Sequence, residues 1–349
     1  MERGVKVESE KRKVKSKDQH KEFDAKRIIF LLLGCAAFIA AVFLSGEIAE
    51  GCRYALKICA ETLIPSLFPF FILSVLVNRL GLPLFLGRFF SPLSRRFFGV
   101  SGAGATALFL GLTGGYPMGA GYIADMYRQG QIDLRESEKL LAFCNNSGPA
   151  FIIGAVGCGV FGSLKTGVCL YIVHILSAVS VGILLRGKRE NFRFPAAAES
   201  AHLNRGVSFS LAFTDAVKTA VSSILNVCAF SVTFTVIVNL VENSRPVSRF
   251  FAFLSEISGL EISCIRTFFS GLSELGCSLS EMSALSPTPS NLALVSFILG
   301  WGSLSVHMQT HAILADTEIK GTLHTAGRLL SASIASVLSF LLFTLMETT

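Results

Sequence analysis

Two short polar breaks interrupt a stretch of membrane hydrophobicity, TGGYPMG over 113–119 and NNSGP over 145–149, and their residue types suit the binding of a small anion. Pro117 and Pro149 each stand where a second half-helix would begin, the position at which a missing N–H costs least. The free N–H groups beside them then point into the gap, and a helix start attracts negative charge. Gly114 and Gly115 permit close backbone approach, while Tyr116 can stack on a ring and donate a hydrogen bond. Together with Thr113 they make one candidate binding tip; Asn145, Asn146 and Ser147 make the cluster opposite it. The plainer reading has both breaks as kinks or short loops, with the amides and hydroxyls only joining helices.

Glu274, in SGLSELG over 270–276, is the carboxylate of greatest interest. An ionisable group at membrane depth is costly and marks function by default. It suits a coupling H⁺ or Na⁺, or a cationic group on the substrate; in an exposed outer loop it would merely be solvated. Arg266, two turns earlier, either attracts an anion or snorkels. Trp301, Gly302, Ser303 and Ser305 form a polar cluster that matches the first one further along the chain. His307 and His311 have metal-binding spacing but no evident third ligand, so neither metal nor cofactor is expected. GCGVFG over 157–162 matches a dinucleotide string with no preceding strand, and GSLKT over 162–166 lacks phosphate-loop spacing. No nucleophile is visibly paired with a base, and enzymatic activity is not expected.

The elements that must position these residues are membrane helices. Hydrophobic residues make up 51% and charged residues 16%, with a mean hydropathy of +0.59, which excludes an ordinary soluble enzyme. The net charge of +7 lies outside the apolar runs, so it reports topology and lipid headgroups, and nucleic-acid binding is not needed to explain it. Nine cysteines, an odd number without a C-x-x-C pair, read as small core residues.

Residues 1–27 read as a basic, disordered cytoplasmic tail and 28–46 as an uncleaved membrane anchor. An amphipathic piece, 47–62, is expected along the interface, followed by a span at 63–80 and a basic segment at 88–96. Residues 102–113 and 117–128 are each about twelve long, too short to cross alone at ~1.5 Å per residue, so they form a re-entrant hairpin with both ends cytoplasmic. After a charged turn at 128–139, residues 140–161 cross with a break, 166–185 return, and a basic linker, 187–206, stays inside.

The second half repeats the first. Shifted by 161 positions, Ala55, Lys57, Val75, Val77 and Asn78 meet Ala216, Lys218, Val236, Val238 and Asn239. Near Gly271, which Gly111 meets at a shift of 160, FLGLTGGYP falls on the FFSGLSELG stretch; at 154 AFCNNSG meets SFILGWG, and Leu176, Ser177 and Ala178 meet Leu330, Ser331 and Ala332. Each repeat, 47–186 and 207–346, contains three crossings and one hairpin. An odd crossing number turns the second copy upside down. The expected fold is therefore an all-α integral membrane protein, an inverted repeat of broken transmembrane helices with two re-entrant helical hairpins. The segment 275–300 carries no Lys or Arg and should face outside, whereas an inner turn before the last span carries Lys320 and Arg328.

GGYPMGAGYIADMYRQGQIDLRESEKLLAFCNNSGPAFIIGAVGCGVFG, with the later SGLSELG and FILGWGSLSVHMQ, resembles the sporulation integral membrane protein family with nucleoside-recognition (Gate) domains, over roughly residues 50–345. The resemblance implies a hairpin-plus-broken-helix plan like that of concentrative nucleoside transporters. It also implies movement of dipicolinate, a planar aromatic dianion, from mother cell toward forespore, with the outer forespore membrane as the location. Met118, Gly148 and Ser303 depart from that pattern, which has a small hydroxyl residue, Asn and Gly there. The expected function is a secondary transporter or facilitator of a small organic anion in a multi-pass cell membrane location. The expected partners are that anion, the lipid bilayer, and a homo-oligomer or sporulation membrane proteins. A nucleoside carrier and a non-transporting assembly or receptor protein are the alternatives.

Overall fold

The computed structural model describes residues 27–36, 38–186 and 208–348, so nearly all of the expected basic tail and linker lie outside the described residues. The described residues divide into two units, one ending at Glu50 and the other beginning at Gly51. In the first, residues 27–36 and 38–43 form helix α1, whose apolar side chains, Ile28, Phe30, Leu33, Phe38 and Phe43 among them, are exposed on every face. Such a surface suits lipid contact.

From Ser45 onward the described elements are all helical. Helix α2 (Ser45–Ile58), a π-helical turn (Cys59–Leu63) and α3 (Ile64–Arg79) join into one helical run of 35 residues. This corrects the expectation of a separate interfacial piece at 47–62. Pro65 has no N–H to give, and the π-turn, in which the Ile64 N–H donates to the Cys59 carbonyl, absorbs the mismatch without breaking the helix. At ~1.5 Å per residue the run exceeds a ~30 Å apolar layer, and the amphipathic half is its surplus.

Then follow α4 (Leu82–Phe97), α5 (Gly102–Gly114), α6 (Met118–Arg128), α7 (Leu134–Cys144), the π-wound α8 (Ala150–Val160) and α9 (Leu164–Leu184). The second half gives α10 (Phe209–Glu242), α11 (Arg245–Ser258), α12 (Ile262–Ser273), α13 (Leu275–Ser283), α14 (Pro289–Trp301), α15 (Ser303–Leu314) and α16 (Thr322–Thr348). The order runs twice: a long helix, an amphipathic helix, two half-length helices, a broken helix and a closing helix. Both amphipathic helices, α4 and α11, carry Pro in the first turn and expose phenylalanines, Phe85, Phe89 and Phe90 on one, Phe250 and Phe253 on the other. The sequence had shown only a basic segment at the first.

Matching contacts link the halves. A Cβ at Gly111 would meet the Cys144 carbonyl, and one at Gly271, its counterpart at shift 160, would meet Ile298, the counterpart of Cys144 at shift 154. The Ser177 and Ser331 hydroxyls, also counterparts, lie 3.0 Å apart. Equivalent residues meet one another only on a two-fold axis.

Among the described residues five helical runs are long and apolar enough to cross a membrane: Ser45–Arg79, Leu164–Leu184, Phe209–Glu242, Pro289–Leu314 and Thr322–Thr348. The crossings expected at 28–44 and 140–161 fall on shorter pieces, α1 and the α7–α8 pair. Three ties gather one end of the bundle: Arg79 pairs with Asp215 at 2.6 Å, Arg128 with Asp316 at 2.6 Å, and the Lys320 N–H donates to Glu138 at 3.2 Å. Those loops are the ones the sequence places on a single side.

Two expectations fail in detail. Arg328 is not in a turn but inside α16, fully buried. The stretch beginning at 275, expected to face outside, does not start as a loop: it forms α13, and Ser278 within it is buried, whereas Ser286 beyond it is exposed.

Candidate functional site

Four helix discontinuities converge. The first hairpin turns at Gly115, Tyr116 and Pro117, between α5 and α6, with Gly115 at φ 74° and a cis Tyr116–Pro117 bond. The first broken helix unwinds over residues 145–149, where α7 stops, and Asn145 leaves the helical region. The second hairpin reverses at the single residue Glu274, in extended conformation, and the second broken helix at Gly302, φ 87°.

The tips touch the breaks. A Cβ on Gly115 would lie 2.8 Å from the Gly148 backbone nitrogen, and one on Gly302 would lie 2.6 Å from the Tyr116 hydroxyl. Gly148, where the resemblance leads one to expect Asn, is thus the residue that lets the first tip seat. Ser303 is the only non-glycine residue with positive φ among those described, at 69°, which explains the Gly usual there. Met118, the third departure, is buried against Gly114.

Between these segments lies a narrow cavity of about 50 Å³, lined in part by Gly115, Tyr116, Ser147, Gly148, Glu274 and Gln309. Glu274 is buried, and its carboxylate accepts the Cys277 N–H at 2.6 Å, so it also caps α13. A wider cavity of about 340 Å³, lined by Tyr54, Lys57, Glu61 and Ser280 among others, lies against Gly276 as well. The turn after Glu274 therefore borders both spaces.

Behind Tyr116 the interior is polar. The Asn145 side-chain oxygen accepts the Ala120 N–H at 3.2 Å; its nitrogen lies 3.0 Å from the Thr310 hydroxyl and 3.2 Å from His324. Asn146 donates to the Phe143 carbonyl and accepts from Arg328 at 2.8 Å, while the Ser147 N–H donates to His174 at 3.2 Å. Gln309 donates to the Ser305 hydroxyl at 3.3 Å, and the hydroxyl of Ser303, the first residue of α15, accepts the Val306 N–H at 3.4 Å. His307 packs on Trp301, ring centroids 4.3 Å apart, and on His324 at 4.9 Å. The Ser147 hydroxyl, Gln309 Oε1, both His307 ring nitrogens and Arg328 Nε have no partner. Buried polar atoms left open in such number mark a place that water or a ligand completes.

Of the residues expected from sequence, Gly115, Tyr116, Ser147 and Glu274 line the cavity, and Asn145, Asn146, Gly302, Ser303 and Ser305 stand in the same polar interior. Thr113 and Gly114 do not join them: the Thr113 hydroxyl bonds back to the Phe109 carbonyl at 2.8 Å, and Gly114 abuts Ser74 on α3. Arg266 is half-buried outside the cavity. The glycine string at 157–162 serves packing, since Gly157 crosses against Gly167 with room for no side chain. Arg328, His174 and His324 were missed. The signal was present: His174 and Arg328 are counterparts at the shift of 154 that aligns Ser177 with Ser331.

Helical runs long enough to span, half-length helices between them and a buried polar centre define an all-α, multi-pass integral membrane protein. The chain is 30% identical over 329 residues to the sporulation integral membrane protein YlbJ of Bacillus subtilis (strain 168), an alignment covering 88% of this chain and 80% of that protein. It belongs to that family of sporulation integral membrane proteins. No protein-family model matches the chain, and no solved structure does.

Proposed function

We propose that the protein is a secondary transporter or facilitator that carries a small organic anion, dipicolinate foremost, across the outer forespore membrane during sporulation. The observation that carries this reading is the meeting of two hairpin tips and two helix breaks on one buried polar cavity. Unwound backbone at membrane depth is tolerated where it lines such a space, and carriers built from repeats bind their substrates there. The paired Gly111–Cys144 and Gly271–Ile298 contacts support an inverted repeat as the frame. A cavity of about 50 Å³ takes a few waters or one carboxylate group and is far below the ~300 Å³ of common ligand sites, so a planar dianion enters only when a tip moves. Glu274, at the turn that borders both cavities, is positioned to carry a coupling H⁺ or Na⁺ as that tip moves.

Uptake by proteoliposomes holding the purified chain tests the reading. Saturable uptake of labelled dipicolinate, competed by unlabelled dianion and not by nucleosides, is expected. Uptake of nucleosides instead assigns a nucleoside carrier, and uptake of neither makes the fold a scaffold or receptor.

A further inference from the structure

Among the described residues Arg328 is a buried cation without a counter-charge. Its guanidinium donates to the Tyr116 hydroxyl at 3.1 Å, to Asn146 Oδ1 at 2.8 Å and to the Ala142 carbonyl at 3.2 Å, all neutral acceptors, and Nε donates to nothing. Among the described residues no carboxylate lies within ion-pair distance of it. The titratable side chains around it are His174, His307, His324, the Cys144 thiol and the Tyr116 phenol, none of them a carboxylate. A lone guanidinium out of water is costly, and an intramembrane charge left uncompensated marks an ion or substrate path.

Repeat geometry sharpens this. Arg328 and its counterpart His174 both reach the same unwound segment, Arg328 by donating to Asn146 and His174 by accepting from the Ser147 N–H. Only one of the two equivalent positions holds a permanent charge, so the cationic centre is not a requirement of the frame. Tyr116 separates it from the cavity: the ring lines the space, the hydroxyl rests on Arg328, and Arg328 itself does not line it. The phenol oxygen is a neutral acceptor occupying one prong of a planar donor fork. A carboxylate fits that fork with two parallel, charge-assisted hydrogen bonds.

We infer that Arg328 is the specificity-determining residue for a carboxylate ligand, reached from the cavity when the Tyr116 ring swings aside, and that Tyr116 is the shutter over it. The inference rests on the transport reading for the position of the substrate, but it can fail alone. Equilibrium binding to the purified full-length chain in detergent, with pyridine-2,6-dicarboxylate, pyridine-2-carboxylate and pyridine-2-carboxamide as probes, tests it. The native protein should prefer both carboxylates to the neutral amide. In folded Arg328→Gln that preference should fall about 10- to 100-fold, with amide binding retained; Arg328→Lys, a point charge without the fork, should recover part of it. Tyr116→Phe removes the competing acceptor and should tighten carboxylate binding. If carboxylate preference is unchanged in Arg328→Gln, or Tyr116→Phe binds carboxylate no more tightly, the assignment is overturned while the transport reading stands. If Arg328→Gln does not fold, Arg328→Lys and Tyr116→Phe decide. A native protein that binds no carboxylate removes both.

Discussion

The two broken helices share a plan and differ in chemistry. The first opens over residues 145–149, exposing two amides and a hydroxyl to the interior, whereas the second opens at Gly302 alone, φ 87°, with Ser303 strained beside it. The hairpins differ in the reverse sense: the first tip is neutral, Gly-Tyr-Pro, and the second is a carboxylate that caps its own outgoing half-helix. The frame repeats, while the cation, the amides and the phenol gather at the first break and the carboxyl group stands at the second tip. A symmetric frame with asymmetric charge can hold an anion without holding two.

The sharpest way to break the comparison uses its matched glycines. At Gly111 a new Cβ would collide with a backbone carbonyl, that of Cys144 at 1.6 Å, whereas at Gly271 it would meet side-chain atoms of Ile298, the nearest at 2.6 Å. Gly111→Ala should therefore cost more than ~3 kcal/mol and Gly271→Ala about 1–3 kcal/mol. Thermal unfolding of the two variants in detergent checks this, and equal losses would mean that the first repeat is no more tightly seated than the second.

The tips come next. Glu274→Gln should abolish or uncouple uptake while insertion stays near normal, apart from about 1 kcal/mol for the weakened cap. Full uptake by that variant would remove the carboxylate from the mechanism. Crowding the first tip is less clean than the sequence implied. Gly115→Val meets both a positive φ of 74° and the Gly148 backbone, so it should destabilise the fold as well as weaken binding. Ser147→Val, at a buried hydroxyl without a partner, should lower anion affinity about tenfold with little change in stability, and half-buried Ala105→Val should alter neither.

Much of this was legible in the chain. Proline and glycine placed the first hairpin within a residue of its observed turn, because Pro117 cannot continue α5 and Gly115 alone tolerates the left-handed backbone there. The amphipathic helices α4 and α11 were not read, since phenylalanine mixed with arginine resembles a loop in a hydropathy sum and resolves only as a helical face. Arg328 was assigned to a turn for a related reason: charge near the start of an apolar run reads as a topology signal. Nothing local in sequence tells a snorkelling arginine from one whose guanidinium points inward, and only the packing of α16 on α7 and α14 decides it.

Ser303 gives a smaller test of the second break. Its positive φ costs about 1 kcal/mol, so Ser303→Gly should be tolerated and slightly stabilising, less so for the loss of its weak hydrogen bond from the Val306 N–H. A clear drop in melting temperature would show that the hydroxyl is needed in the polar interior.

The smallest effect is expected where the repeats meet in water. Arg128 donates to the Ile313 carbonyl at 3.0 Å and pairs with Asp316 at 2.6 Å, joining the end of the first hairpin to the loop after the second broken helix. The hydrogen bond from Arg128, with its charge, holds the Asp316 carboxyl below the usual carboxylate range. A carboxyl whose folded pKa is depressed contributes stability that is present above its unfolded value, about 3.9, and is lost as pH falls through the folded value. Native protein should therefore lose a little more stability than Asp316→Asn as pH falls from about 4 through the folded value, with the two curves converging below it. Both side chains are exposed, so salt should erase most of the difference. Parallel melting curves across the acid range, at low and high salt, check it. A difference that survives high salt would mean that this tie is shielded from water and holds the two repeats together, as the interior contacts do.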